Sequence, residues 1–426
     1  MLKFERYLGE LEGLLSRPIR HEAEARLALA LDGQPSRVLR SSISIDHLRS
    51  GGIFLTGSAL SKRLIDQADE ALGARSHFLD PTCGAGDLLI ACSNKLPVFP
   101  SLRQTLTHWN SCLSGMDTVP QLVRAARVRL ALSAVRRGAV IDITASDLAQ
   151  LLTNIQLKSA EEPWTAGSGT LVVLNPPYTL TTAPNTCEWA QGRITQAALF
   201  VEMVVAASEP GTRIAMILPD VLRTGPRYRA WRRFVTRSAS IVDIQIVGLF
   251  DAVTDVDVFS AIMTVQECSE PNERWTKPPN PRHTRVSDLF DVHVGTVVPY
   301  RHPNRGPWTH YVHPRAVPQW ATVRTIEQMI RSKSTFEPPF VAIRRTSRPG
   351  DRFRCVGTII SGQYTVSVEN HLLVAVPKDG TLRSCKMLLH ELQKDETNAW
   401  FNSVSRCRHL TVGAVKELPL RDVAHD

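Results

Sequence analysis

The run LVVLNPPY at 171–178 ends in an amide, two prolines and an aromatic ring: Asn175, Pro176, Pro177 and Tyr178. Methyl transfer to a planar exocyclic amine needs that combination. The lone pair of such an amine is delocalised into its ring, so the nitrogen is a poor nucleophile. Acceptors aligned with its N–H bonds pull it towards tetrahedral geometry and aim the lone pair at a methyl carbon. The Asn175 side-chain carbonyl and the Pro176 backbone carbonyl can act together in this way, and each proline holds the residue before it extended. No strong base is required before transfer, because the positive charge passes from sulfur to nitrogen. Alignment and electrostatics then carry the rate. Tyr178 offers a π-face to a base swung out of a duplex.

A second group of residues suits a cationic ligand. Asp80-Pro81-Thr82-Cys83-Gly84-Ala85-Gly86-Asp87 joins an apolar run, HFLD, to a helical one, LLIACSN. Gly84 and Gly86 at a strand–helix turn let the backbone approach a ligand closely. With Thr82 they are the candidate cofactor contacts of the loop. Asp80 and Asp87 would repel a pyrophosphate and suit a ligand with an amino group and a sulfonium. Asp117 closes the next apolar run, where an acid hydrogen-bonds ribose hydroxyls in nucleotide-binding sheets. Asp147 follows a third run, and its carboxylate can accept from an adenine amino group. Singly, each aspartate is as well explained as a helix cap or turn residue. At successive strand ends, where open α/β sheets bind ligands, the functional reading is favoured.

The elements that must position these residues are short apolar runs alternating with helical segments. Strands are expected at 77–80, 114–117, 140–144, 170–175, 212–218, 241–249 and 259–267, with helices at 119–137 and 197–208 among others. Such alternation predicts an α/β fold with a mostly parallel, Rossmann-like sheet covered on both faces. The last two strands, joined by a short link, should be antiparallel neighbours. Seven strands with a reversed last one match the arrangement of S-adenosylmethionine-dependent methyltransferases. Four parts are expected: a helical segment at 1–50, the sheet domain at 51–270, a charged, proline-rich linker at 271–282, and a separate α+β domain at 283–426. That last part carries strand-like runs (DVHVGTVV, FVAIRR, CVGTIIS, TVSV, HLLVAV) and helical patterns at 318–332 and 385–402.

With these motifs in place the chain resembles the N6-adenine DNA methyltransferases of the gamma arrangement. In that family a cofactor-contacting segment precedes the glycine loop, NPPY follows, and a target-recognition domain lies C-terminal. DPTCGAGD and NPPY match cleanly. GGIFLTGSALSKRLIDQA (51–68) looks like the cofactor-contacting segment and makes Thr56 a cofactor contact, although the family usually has Thr-Pro where this chain has Thr56-Gly57. GLFDAVTDVDVFSAIMTVQ (248–266) is similar to the later motif whose aromatic meets the flipped base, with Phe250 the best match and Phe259 the second. The VAIRRTSRPGDRF flank, with Arg344, Arg345 and Arg348, is similar to the specificity domain of the TaqI-like enzymes, which reads bases through loops. The resemblance implies S-adenosyl-L-methionine as cofactor, double-stranded DNA as substrate, and a place in a restriction-modification or phage-defence system. An RNA or protein-glutamine methyltransferase, whose planar amide suits the same device, and a non-catalytic DNA-binding defence subunit stay open as alternatives.

Composition narrows the setting. The net charge is +9, and arginine greatly outnumbers lysine, which favours a polyanionic partner recognised through planar, forked guanidinium groups. Arg223, Arg227, Arg229, Arg232, Arg233 and Arg237 crowd one segment, which is either a solvated helix face or a set of phosphate contacts. No apolar run approaches the roughly 18 residues needed to cross a bilayer. The N-terminus lacks the pattern of a signal peptide. The eight cysteines are scattered without a C-x-x-C pair, so reduced thiols in a cytoplasmic protein are expected rather than a disulfide frame or a zinc site. His302, His310 and His313 have no carboxylate or cysteine at ligand spacing, so no metal is expected. The first 50 residues contain no convincing nuclease motif, which makes any restriction endonuclease a separate chain.

Overall fold

The computed structural model describes residues 2–16, 21–73, 77–251, 253–268, 270–272, 275–276, 284–301 and 305–421. Most of the expected linker, and His302, lie outside them. The chain divides into two units, Met1–Leu222 with Pro226–Trp275 and Arg223–Gly225 with Thr276–Asp426.

Among the described residues the first unit holds nine strands: β1 (His77–Asp80), β2 (Leu113–Asp117), β3 (Ile155–Leu157), β4 (Thr170–Leu174), β5 (Leu180–Thr182), β6 (Arg193–Thr195), β7 (Arg213–Pro219), β8 (Ala239–Leu249) and β9 (Asp257–Val265). Seven of them form one sheet in the order β3-β2-β1-β4-β7-β9-β8. All neighbours are parallel except β9, which runs antiparallel to both β7 and β8. This is the α/β fold, mostly parallel with a reversed last strand, that the alternation predicts. β5 and β6 form a small hairpin directly after NPPY.

Alternation along the central strands explains why both faces are covered. Val172, Leu174, Ile214, Met216 and Leu218 point into one core, and Leu171, Val173, Ala215 and Ile217 into the other. Helices α1 (Leu2–Gly13), α2 (His21–Leu31), α3 (Gln34–Ser42), α4 (Ile45–Gly51), α5 (Ser58–Leu72), α6 (Asp87–Ser93), α7 (Leu102–Cys112) and α8 (Pro120–Arg136) precede β3. So does α9 (Leu148–Leu151), and after β3 come α10 (Gln196–Ala206), α11 (Asp220–Thr224) and α12 (Arg229–Ser238). The N-terminal helices are not an appendage. Phe4, Leu8, Leu11, Leu27 and Leu39 share one core cluster with Leu88 of α6 and Leu130 of α8.

One strand expectation fails. Residues 140–144 do not form a sheet strand; they carry a single bridge, Val140 to Ser101. The edge beside β2 is taken by Ile155–Leu157. VIDIT alternates like a strand, but Thr144 instead opens a capping box closed by the Asp147 carboxylate. A second difference concerns the linker. Trp275 is buried, with its ring 5.0 Å from Trp231 and 6.1 Å from Phe259.

The second unit holds β10 (Phe290–Val294), β11 (Trp308–Val312), β12 (Thr322–Val323), β13 (Met329–Arg331), β14 (Phe340–Arg344), β15 (Gly357–Ile360), β16 (Val366–Val368) and β17 (Leu372–Pro377). They form a five-stranded sheet, β10-β17-β14-β15-β12, and a three-stranded one, β13-β11-β16. Its helices are α13 (Val286–Leu289), α14 (Leu382–Leu392), α15 (Asp395–Val404) and α16 (Val412–Lys416). The helical pattern at 318–332 is not realised, since that stretch contains β12 and β13. The pattern at 385–402 is split in two at Gln393 and Lys394.

All eight cysteines are free thiols. Among the described residues no helix is long and apolar enough to cross a membrane, and no cluster of three or more histidine, cysteine or carboxylate side chains is poised to hold a metal.

Candidate functional site

The sheet order reverses between β1 and β4, so the chain leaves these two adjacent strands towards opposite edges. Their C-terminal ends therefore open a crevice that neither connection fills, the usual ligand position in open α/β sheets. Asp80 is the last residue of β1, and Asn175 follows β4. A cleft of about 350 Å³ opens there, lined by Phe54, Thr82, Gly84, Asp117, Asn175 and Pro177, among others.

Three carboxylates surround the glycine loop, and the structure gives them different tasks. Asp87 is already neutralised. Its Oδ1 lies 2.7 Å from Arg129 Nη2, and its Oδ2 accepts from the Gly57 amide at 2.7 Å. Arg129 is fully buried and also donates to the carbonyls of Ala30, Leu31 and Ala85. This one guanidinium ties α2, the glycine loop and α6 together. Asp87 thus anchors the Thr56 segment through Gly57 rather than offering free charge to a ligand.

Among the described residues Asp80 has no such cation. It accepts from the Thr82 amide at 2.9 Å and is 1% exposed. Burial, with the nearby charge of Asp117, pushes its carboxyl up to about 8 against the opposing pull of the Thr82 amide. Asp117 accepts from the Gly84 amide at 3.0 Å and the Val119 amide at 2.8 Å. Burial raises its pKa too, and those amides hold it back. A ligand bearing a positive amino group fits this arrangement, because it supplies the counter-charge Asp80 lacks.

The backbone of the loop is fitted to its neighbours. Gly86 has φ +84°, and a Cβ there would come within 3.0 Å of the Ala126 Cβ on α8. Gly52, at φ +63°, lies so close to Pro177 that a Cβ would overlap the proline Cβ. Segment 52–56 is thereby seated on NPPY.

Asn175 is held from two sides. Its Nδ2 donates to Thr56 Oγ1 at 3.0 Å, and its Oδ1 accepts from the Tyr178 hydroxyl at 2.6 Å. The phenol also lies 3.2 Å from the Ile217 carbonyl oxygen. Burial raises the phenol pKa well above its ordinary value, so it remains a donor. A carbonyl oxygen has two lone pairs, and the phenol uses one. Phe250 sits edge-on to Tyr178, with centroids 6.1 Å apart and planes at 79°. Phe259 is fully buried in the core, which removes it as a base contact.

The remaining expected residues fare unevenly. Asp147 is not at a strand end. It caps Thr144 and faces Arg103 at 3.6 Å, and residues 158–160, after the true β3, line the cleft instead. Within the second unit, Arg344 donates to the Val317 carbonyl, and Arg345 to those of Leu410 and Asn370. These two guanidinium groups secure their own loop; of the three candidates Arg348 is the exposed one. In the arginine-rich segment, Arg223 and Arg232 are buried, and Arg232 donates to the Leu222 carbonyl. Arg227, Arg229, Arg233 and Arg237 are exposed.

Sequence reasoning missed Gly52, Arg129 and Phe200, which lines the cleft. Arg129 left a readable trace. It falls in register with Leu122, Ala125, Ala126 and Ser133 on the buried face of α8, where an arginine demands partners. Gly52 left none, because its requirement comes from a proline 125 positions away.

No family model matches the chain, and no curated protein does. Among solved structures, the type IIG restriction endonuclease BpuSI is similar at 14% identity and a TM-score of 0.45, over 90% of this chain and 60% of that one. A Listeria monocytogenes protein described as a class I S-adenosylmethionine-dependent methyltransferase matches at 16% identity and 0.36, over 65% and 83%. The M protein of the type I restriction enzyme EcoKI matches at 17% identity and 0.33, over 64% and 62%. The chain thus spans less than two thirds of BpuSI and of the EcoKI M protein.

Proposed function

We propose that the chain transfers a methyl group from S-adenosyl-L-methionine to the N6 amine of an adenine flipped out of double-stranded DNA. The observation that carries this reading is the Asn175 amide, oriented by Thr56 and Tyr178 at the sheet's switch point beside an acidic cleft. When bound, the cofactor supplies an electrophilic methyl carbon on a sulfonium. Asp80 would hold its amino group, and Asp117 its ribose hydroxyls. Thr82, Gly84 and Gly86 shape the loop against it, and Phe200 adds an apolar wall for its purine.

The free lone pair of Asn175 Oδ1 takes one N–H of the target amine, and the Pro176 carbonyl takes the other. Pro177 fixes the direction of that carbonyl. Methylation by the bound cofactor would place positive charge on the nitrogen. The two oxygens stabilise that charge. The nitrogen afterwards sheds its proton to solvent. Tyr178 and Phe250 flank the base, one by face and one by edge. Arg229, Arg233, Arg237 and Arg348 meet phosphates, which the net charge of +9 favours. In this reading the C-terminal domain, 283–426, selects the site. A separate restriction endonuclease or defence subunit works beside the chain.

The test is to incubate the protein with methyl-labelled cofactor and duplex DNA of mixed sequence, with RNA and a protein mixture in parallel. Label recovered from digested DNA as N6-methyladenine supports the reading. Label in RNA or protein alone, or none, contradicts it.

A further inference from the structure

The N-terminal helices reach the pocket of Tyr178 and Phe250 through one ion pair. Arg40 stands in the last turn of α3, where a cation opposes the helix dipole favourably. Its neighbour Leu39 is buried in the core cluster against which Phe250 and Tyr178 also pack. From that fixed base Arg40 Nη2 reaches Asp251 Oδ2 at 2.5 Å, 211 positions along the chain, with both side chains about one quarter to one third exposed.

Asp251 is the residue after Phe250 and the organiser of the turn that follows. Its Oδ1 accepts from the amides of Val253, at 2.8 Å, and Thr254, at 2.7 Å. The turn closes as Phe250 N–H donates to the Val256 carbonyl at 2.8 Å, and it includes Asp255 at φ +52°. Phe250 therefore opens a turn whose organising carboxylate, Asp251, is shared with α3.

We propose that Arg40 is a positioning residue: through Asp251 it holds the Phe250 turn edge-on to Tyr178, so that the N-terminal helices set the width of the target-base pocket. This rests on the methyltransferase reading for its consequence, though not for its geometry. Arg40 touches neither the cofactor cleft nor Asn175. Its loss loosens the aromatic wall and leaves the amine-orienting groups in place.

Two measurements on the full chain test it. The first is hydrogen–deuterium exchange over 249–257 in wild type, Arg40→Ala and Arg40→Lys. Faster exchange in Arg40→Ala, confined to that turn and the end of α3 and reversed in Arg40→Lys, is expected. Unchanged exchange, or acceleration spread through the first unit, overturns the proposal. The second is methyl transfer to duplex DNA in wild type, Arg40→Ala, Phe250→Ala and the double variant. Arg40→Ala should lower kcat/KM for DNA about tenfold, a common size for coupling within one network, with cofactor affinity unchanged. It should cost nothing further in the Phe250→Ala background. An equal loss in both backgrounds means that Arg40 does not act through Phe250 and overturns it. Should wild-type protein transfer no methyl group to DNA, the methyltransferase reading falls, and the exchange result alone decides the positioning role.

Discussion

Thr56 and Asn175 stand 119 positions apart, yet the Asn175 amide nitrogen donates to the Thr56 hydroxyl at 3.0 Å. In the proposed function Thr56 would thus do more than contact a cofactor. With the Tyr178 hydroxyl on Oδ1, it holds the Asn175 amide from both ends. Segment 52–56 and NPPY share this bond, so in the proposed reaction cofactor binding and amine alignment would be coupled.

Thr56→Val removes the acceptor while keeping the shape. Losing one such hydrogen bond costs about 1 kcal/mol, so kcat should fall severalfold to tenfold. Thr56→Ser, which restores the hydroxyl, should retain most activity. Steady-state kinetics at saturating cofactor check this, and equal rates for the valine and serine variants would contradict it.

Gly52→Ala should be far more damaging than its size suggests. The added methyl overlaps Pro177, and φ is +63°. NPPY must shift, and shifts on the order of 1 Å cost roughly 100-fold in rate. Gly9→Ala is the control. Gly9 lies in α1 with nothing within 4 Å of a Cβ, so it should gain about 0.5–1 kcal/mol of stability and lose no activity. Thermal melts and transfer rates of the two variants check the pair.

Asp80 predicts a proton linkage. Its carboxyl titrates near 8 in the fold, against about 3.9 in an unfolded chain. Between those values the folded state holds a proton that the unfolded state has lost, so its contribution to stability falls as pH rises from about 4 to 8. Asp80→Asn should remove that part of the slope in denaturant titrations across this window. Cofactor binding near pH 6.5 should also expel this proton, because the cofactor's amino group favours the carboxylate. Calorimetry in buffers of different ionisation enthalpy should show release by wild type and none by Asp80→Asn.

Arg129→Ala should destabilise the fold by about 3–5 kcal/mol, because it leaves the Asp87 carboxylate buried and unpaired. The double variant Arg129→Met, Asp87→Leu should cost less than the sum of the singles. Strict additivity in denaturation would contradict a direct pair.

Much of this was legible in the sequence because the residues concerned are set by local pattern. LVVL before Asn175 and HFLD ending in Asp80 are runs long enough to show as strands, and the chain order of strands then brings their ends together. β3 was not legible: Ile155–Leu157 has three residues, too few for any period to show. VIDIT offered a better alternation and drew the assignment, and with it Asp147. The roles of Arg344 and Arg345 were equally hidden, because a surface base contact and a main-chain clamp ask for the same side chain. Arg40 carried no signal at all, since its partner is 211 positions away.

The most direct measurement is single-turnover methyl transfer by Asn175→Ala, with cofactor affinity measured on the same preparation. Cofactor binding within a few fold of wild type and a transfer rate at least about 100-fold lower are the predicted results, the usual cost of removing one preorganised polar group that meets developing charge. Transfer to adenine within a few fold of wild type, at full cofactor occupancy, would contradict the amine-orienting role of Asn175 and the reading built on it.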